Sequence, residues 1–458
     1  MDANDRTREL LLSTAERAIR YLEGLPSRSV APTQEAVAAL SALQVPMPEG
    51  PTSPESVLDV LDSLGSPATM AMAGPRFFGF VVGGSLPAAL AANWMAGAWD
   101  QNSALANVTP TTALLEQIAL EWLIDLFGLP SASAGTFVTG ATMANFCGLA
   151  AARHAVLARA GWNVEADGLF GAPPITVIVG DEVHPSLTKA LGLLGMGRNR
   201  VVRVPVDGQG RMRPEAVPKI AGPTIVCLQA GNVNTGAFDP FEPICEAAHQ
   251  AGAWVHVDGA FGLWAAVTDG LRELTRGIAQ ADSWVTDAHK WLNVPYDSGL
   301  AIVRDPDALR AAMAISAEYL PTETERRNPS DFTPEFSRRG RGVEIWAALR
   351  SLGRSGVADL IQRTCGHARH FAEGLQAAGY SILNDVVLNQ VLVTFGDAPT
   401  TERVIEQIQA DGTAWCGRTQ WQGHTAMRIS VSCWATEPSD VEKSFDAMLR
   451  IAAKCSPP

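Results

Sequence analysis

Residues 254–290 read WVHVDGAFGLWAAVTDGLRELTRGIAQADSWVTDAHK, and the fold is decided there. Two short runs, WVHVDGA at 254–260 and SWVTDA at 283–288, are β-branched and mostly apolar along their whole length. Runs of that kind fit strands covered on both faces, as in a parallel sheet. The same signal recurs upstream in ITVIVG (175–180), VVRVPV (201–206) and TIVCLQAG (224–231). Helical stretches at 185–194 and 240–251 lie between the runs. This alternation, from about residue 76 to 320, predicts a doubly wound α/β domain.

The flanks differ. Residues 1–75 hold two helical stretches separated by Pro46, Pro48, Pro51 and Pro54, and Gly74-Pro75 ends the section. Beyond Arg339, VEIWAALRSLGRSG and ADLIQRTCGHARHFAEGLQAAG read as helices, VLNQVLVTF and AMRISVSCW as strands, and SDVEKSFDAMLRIAAK as a final helix. The expected division is a helical N-terminal segment (1–75), a large α/β domain with a mostly parallel sheet (76–335) and a small α+β C-terminal domain (336–458). A chain of 458 residues is long for one core.

Composition excludes several functions. The net charge is −13 and no Lys/Arg-rich block occurs, which argues against a nucleic-acid footprint or an anionic membrane surface. The amphipathic start lacks an apolar core and a small-residue cleavage site, so no secretory signal is expected. The apolar run at 86–99 is too short to span a bilayer. Seven scattered cysteines without a CxxC pair suggest neither a disulfide framework nor a zinc site. His367 and His370 lack partners at metal-ligand spacing, so no metal is expected. The expected compartment is the cytoplasm.

The candidate chemistry sits at strand ends. Lys290 follows a short strand, in the crevice where doubly wound sheets bind ligands, and a lysine fixed there can form a Schiff base. His289 beside it could contact a phosphate. Asp258 ends the run WVHVD and could pair with a pyridinium nitrogen, or serve as a helix N-cap. Gly259 and Ala260 are small enough for a flat ring to lie against them. In GTFVTGATMANFCGLAAAR a strand meets Gly140, Ala141 and Thr142, and a helix follows. Free N–H groups at a helix start make a phosphate site, though an ordinary strand–turn–helix reads the same. His184, between a strand and a helix, could stack on a ring or be structural. Arg428 is a cation in an apolar strand, so it serves an ion pair or binds a carboxylate.

In this order, TGATMAN, DEVHPSLTKA, GNVNTGAFDP, HVDGAFG, ADSWVTDAHKWL and SRRGRGVEIWAALRSLGR make the chain resemble the fold type I PLP-dependent enzymes. Within them it resembles the group II amino-acid decarboxylases, which act on aromatic amino acids, histidine and glutamate. The resemblance implies pyridoxal 5′-phosphate (PLP) as cofactor and the transferase-like fold. It implies Lys290 as the Schiff-base lysine, Asp258 at the ring nitrogen, and His184 and Ala260 on the two ring faces. Gly140, Ala141, Thr142, Ser283 and His289 would hold the phosphate, Asn232 and Val233 would come near the cofactor, and Arg428 would orient the substrate. It implies a homodimer with the active site at the subunit interface.

Two departures matter. Family decarboxylases commonly carry a loop Tyr that protonates the substrate carbon after CO₂ leaves, and the matching stretch TERRNPSDFTPEFSRRGR (324–341) has none; the nearest is Tyr319. Oxygen-dependent aldehyde formation, or another PLP-dependent lyase reaction, is therefore the alternative to decarboxylation. The stretch DQNSALAN (100–107), with Asn102, looks like the segment that reaches the neighbouring subunit's pocket, and it is small and polar. Phe77, Phe78 and Phe80 could supply an apolar wall. A small or polar amino acid is the expected substrate.

Overall fold

The computed structural model describes residues 3–315 and 326–455. Tyr319 lies outside the described residues. The main sheet has seven strands: β1 (Ala134–Val138), β2 (Thr176–Gly180), β3 (Val202–Val204), β4 (Thr224–Gln229), β5 (Trp254–Asp258), β6 (Ser283–Asp287) and β7 (Gly299–Val303). Their spatial order is β1-β7-β6-β5-β4-β2-β3. Strands β2 to β6 pair in parallel. Strand β7 runs antiparallel to both β6 and β1.

Every residue of β4, β5, β6 and β7 is buried, which is why these runs lack an apolar–polar alternation. Alternation still sorts the side chains of β5, because successive residues point to opposite faces. Val255 and Val257 enter one core layer with Trp264 and Trp284. Trp254 enters the other, beneath the helix Ala141–Arg159.

The run at 201–206 contributes only the three residues of β3. Strand β7 escaped the sequence reading because it follows Lys290 within a few residues and returns against the parallel direction. It matters for the site, since it packs the Gly299 backbone against Gly140: a Cβ on Gly299 would lie 2.5 Å from Gly140 Cα.

A smaller sheet follows, formed by β8 (Ser381–Ile382), β9 (Gln390–Thr394), β10 (Gly417–Trp421) and β11 (His424–Ser430), in the order β10-β11-β9-β8 and wholly antiparallel. The helix Gly342–Ala377 links the two sheets and breaks at Gly353, whose φ of 62° suits glycine. Ile345, Leu349, Ile361 and Cys365 pack into the first core, and Ala368, Phe371 and Leu375 into the second.

At the N-terminal end, the helix Ala3–Gly24 is followed by short helical turns between Gln34 and Ala68. Arg76 ties this region down, donating to the carbonyls of Thr413 (2.6 Å) and Pro26 (2.8 Å). No described helix is long and apolar enough to cross a membrane.

Candidate active site

The carboxyl ends of β4, β5 and β6 and the turn after β1 open into one cavity of about 400 Å³. Register sets its floor: Gln229, Asp258 and Val285 are neighbours across β4, β5 and β6. Asp258 therefore sits centrally, at the place where open α/β sheets bind ligands.

Beyond Asp287 the chain turns sharply, with the Ala288 and His289 N–H groups both donating to the Ser298 carbonyl at 3.0 Å. This aims Lys290 into the cavity. Gly83 presses on the Lys290 carbonyl, where a Cβ would lie 1.9 Å away, so only glycine fits at 83. The Lys290 Nζ lies 3.1 Å from Asp287 Oδ2. Among the described residues, Asp287 Oδ1 is buried without a hydrogen-bond partner.

His289 Nδ1 accepts from the Ser298 N–H at 3.0 Å, which puts the ring's proton on Nε2. Burial lowers its pKa, with Asp287 opposing, so the ring is a neutral donor. Tyr296 stacks on it, centroids 4.3 Å apart.

After β1, Gly140 is the N-cap of the helix Ala141–Arg159 and supplies no side-chain cap. The first N–H groups are therefore left to the cavity, which Gly140, Ala141 and Thr142 line. An uncapped helix start carries partial positive charge and suits an anion.

His184 is both a wall and a cap. Its Nδ1 accepts from the Ser186 N–H at 3.2 Å and pairs with Ser186 Oγ at 2.7 Å, fixing the ring while it faces the cavity. Burial lowers its pKa; Asp258 opposes this, and Lys290 and Arg428 reinforce it. Asp258 Oδ1 accepts from the Ala260 N–H at 3.2 Å and Oδ2 from Asn145 Nδ2 at 3.1 Å.

Arg428, on β11, reaches across from the smaller sheet. It donates to the Val233 carbonyl (3.2 Å) and to Asn234 Oδ1 (3.4 Å). Burial lowers its pKa to about 10. Among the described residues no carboxylate pairs with it, so its charge is available to an anion in the cavity.

Gly140, Ala141, Thr142, His184, Asp258, Ala260, His289, Lys290, Arg428 and Phe80 thus share one cavity. Several expected residues do not, among them Ser283, Phe78, Asn102 and Asn232. Ser283 begins β6, at the end of the strand away from the cavity, and its hydroxyl is engaged by His256 (2.8 Å) and Trp254 (2.9 Å). The phosphate role expected for it is corrected on that ground. Phe78 is fully buried in the second core, edge-on to Phe371 at 5.3 Å, so it forms no pocket wall. Asn102 is exposed and accepts from the Arg338 N–H at 3.0 Å; it does not reach the cavity of its own chain. Asn232 does not line the cavity either. Its Oδ1 accepts from the Asn234 and Thr235 N–H groups to shape the loop, and Val233 provides the wall.

Sequence reasoning missed Asp287, His256 and Asn145. Asp287 stood three residues before Lys290 in the same quoted stretch, and His256 alternated with Asp258 in WVHVD. The arginines of SRRGR are ion-paired: Arg338 to Glu116 (2.6 Å), Arg341 to Asp297 (2.8 Å) and Arg339 to Glu344.

Residues 40–395 match the pyridoxal-dependent decarboxylase conserved domain. The chain belongs to that family. The acidic amino acid decarboxylase GADL1 of Mus musculus is 30% identical over 323 residues, which cover 68% of this chain and 58% of that protein. The phenylacetaldehyde synthase of Petunia hybrida is 29% identical over 285 residues, covering 58% of this chain and 55% of that one. The match thus spans under two thirds of either relative. The structure of Oryza sativa TDC with PLP and tryptamine superposes with a TM-score of 0.90 at 22% identity, over 99% of both chains.

The cofactor of the family is PLP. The cavity suits it: the uncapped helix start and His289 Nε2 offer donors to a phosphate, and Asp258 offers a carboxylate to a ring nitrogen. The unpartnered Asp287 Oδ1 and the Gly140–Gly299 contact mark a cradle that a side chain would fill.

Proposed function

We propose that the chain decarboxylates a small or polar L-amino acid to its amine and CO₂, with PLP held on Lys290 as a Schiff base. The observation that carries this reading is the convergence of Lys290, Asp258 and an uncapped helix start on one cavity, with Arg428, which meets no carboxylate among the described residues, at its edge. Bound there, the cofactor supplies an electron-poor ring that takes up the electron pair released when a bond to the substrate's α-carbon breaks.

The chain's own residues do the rest. Lys290 Nζ is the nucleophile that would hold the cofactor. Asp258 keeps the ring nitrogen protonated, and His184 and Ala260 confine the ring to a slot. Arg428 binds a substrate carboxylate through a charge-assisted contact. Phe80 and Val81 close one side and limit water. Once CO₂ has left, a proton must reach the α-carbon. Among the proton-bearing atoms at the cavity are His184 Nε2 and Lys290 Nζ.

The absence of Tyr from 324–341 favours a second reading, oxygen-dependent conversion of the same substrate to an aldehyde. One experiment separates them: the purified protein is given PLP and a panel of L-amino acids while CO₂ and oxygen are followed together. CO₂ without oxygen uptake supports decarboxylation. Matched oxygen uptake with ammonia release supports aldehyde formation, and turnover without CO₂ supports another lyase reaction. Borohydride should fix the cofactor to Lys290 in wild type and not in Lys290→Ala.

The working unit is proposed to be a homodimer, with residues 100–107 reaching the second copy's cavity. Support comes from the exposed Trp94, Met95 and Val108 that flank this segment. A monomeric sedimentation profile at working concentration would refute it.

A further inference from the structure

Behind Asp258, away from the cavity, a line of polar side chains runs through the sheet. Asn145 Nδ2 donates to Asp258 Oδ2 at 3.1 Å, and His256 Nε2 lies 2.8 Å from Asn145 Oδ1. His256 Nδ1 lies 2.8 Å from Ser283 Oγ, and Trp254 Nε1 donates to that oxygen at 2.9 Å. Trp254, His256 and Ser283 are fully buried, as is Asn145. The line follows the strand: Trp254, His256 and Asp258 alternate along β5 and so share one face. Gly148, one turn beyond Asn145, makes room for the imidazole, because a Cβ there would lie 2.8 Å from His256 Cε1.

The two ends fix the direction of every bond. An indole N–H only donates, and a carboxylate only accepts. Asp258 therefore requires the amide nitrogen of Asn145, which turns Asn145 Oδ1 toward His256 and requires a proton on Nε2. The neutral ring then accepts at Nδ1, so the Ser283 hydroxyl donates to it and accepts from Trp254. Reversal at any point would set two acceptors or two donors face to face in a dry interior, where unmade hydrogen bonds cost most. Burial also lowers the His256 pKa to about 4, so the ring stays neutral and the direction holds across the working range.

We propose that Trp254, Ser283, His256 and Asn145 are positioning residues that hold the Asp258 carboxylate turned toward the cofactor's ring nitrogen. The inference rests on the assignment of Asp258 above. Loss of the Ser283 hydroxyl leaves His256 Nδ1 without its donor and the Trp254 N–H without its acceptor. The imidazole is then no longer held against Asn145 Oδ1, and the amide that orients the Asp258 carboxylate loosens. A change made at the far end of β6 thereby reaches the ring without touching the cavity.

The test uses the full chain loaded with PLP whose ring nitrogen is isotopically labelled for NMR. Failure of wild type to bind overturns both this inference and the cofactor site on which it rests. With wild type loaded, Ser283→Ala should bind PLP about tenfold more weakly, as expected for one broken buried hydrogen bond. Its ring-nitrogen signal should move toward the unprotonated position. Trp254→Phe, which keeps the packing and removes one N–H, should shift both in the same direction by less, and it decides the matter if Ser283→Ala does not fold. Val226→Ala, a core truncation off the line, should lower Tm and leave the signal in place. Unchanged affinity and signal in both line variants, or an equal signal change in Val226→Ala, overturns the inference and leaves the cofactor site standing.

Discussion

Lys290 Nζ lies 3.1 Å from Asp287 Oδ2, three residues back along the chain. The carboxylate is 3% exposed and also lies 3.6 Å from His289 Nε2, so the lysine proposed to carry the cofactor is paired with a nearly buried anion. Removing one partner of such a pair leaves a charge without compensation, which costs more than the pair itself contributes.

A double-mutant cycle on the cofactor-free protein should show this coupling. Lys290→Ala alone and Asp287→Asn alone should each lower stability, and the double variant should lose less than the sum. A coupling of about 1–3 kcal/mol is expected, read from denaturant midpoints. Additivity to within about 0.5 kcal/mol would show that the pair is only geometric.

Acid should weaken the fold through His256. Its folded pKa, about 4, lies below the ordinary histidine value of 6.5 because burial disfavours the cation. The unfolded chain then binds more protons between those two values, so stability is fully present above pH 6.5 and is lost as pH falls toward 4. Burial lowers His184 and His289 in the same direction. Asp239 works the other way: burial raises it to about 6, so its contribution is present below the ordinary carboxylate value and is lost as pH rises through 6. The clean measurement is the difference between wild type and His256→Gln in urea midpoint from pH 7 to 4.5. The gap should narrow as pH falls; a constant gap would sink the assignment.

The segment that precedes the helix Gly342–Ala377 is anchored by a buried ion pair. Arg338 and Glu116 are both fully buried at 2.6 Å, and Arg338 also donates to the carbonyls of Ser103 (3.1 Å) and Phe137 (2.7 Å). Arg338→Met should cost about 3 kcal/mol, because Glu116 loses its closest partner in a dry site and keeps only Arg327, at 3.7 Å. A loss below about 1 kcal/mol in thermal or denaturant unfolding would contradict this.

The strands that lie deep in the sheet were legible because burial on both faces leaves long apolar runs; β4, β5 and β6 all show it. The positions of Lys290, Asp258 and His184 at strand ends followed from the same runs. Ser283 was misplaced because a motif gives a residue's neighbours in sequence and not which end of the strand it occupies. Phe78 was misplaced because three phenylalanines in four positions look alike until the backbone turns. His256 and Asn145 were invisible for another reason: their bonds join a strand to a helix over a hundred residues away, and no local pattern records such a pairing.

Glycine at 299 is required by the closeness of two backbones. A Cβ there would meet Gly140 Cα at 2.5 Å and Asp287 Oδ1 at 2.7 Å. Gly299→Ala must push the turn before Ala141 aside, and strain of that kind costs about 1–3 kcal/mol. Since the turn and Asp287 both line the cavity, PLP affinity should fall about tenfold or more in an equilibrium titration. Retained affinity with only a lower Tm would show that the strain relaxes away from the cavity.

Phe80 separates backbone strain from substrate contact. Its φ of 55° is left-handed, its ring is 61% exposed, and it lies at the cavity beside Trp415 at 5.4 Å. A side chain in that conformation carries a cost that glycine avoids. Phe80→Ala and Phe80→Gly remove the same ring, so both should raise KM to a similar degree if the ring bounds the substrate. Their stabilities should differ, with the glycine variant more stable by about 0.5–1 kcal/mol even after its greater freedom in the unfolded chain. Equal stabilities would show that the strain has been relieved elsewhere. An unchanged KM in both would place the substrate away from this wall.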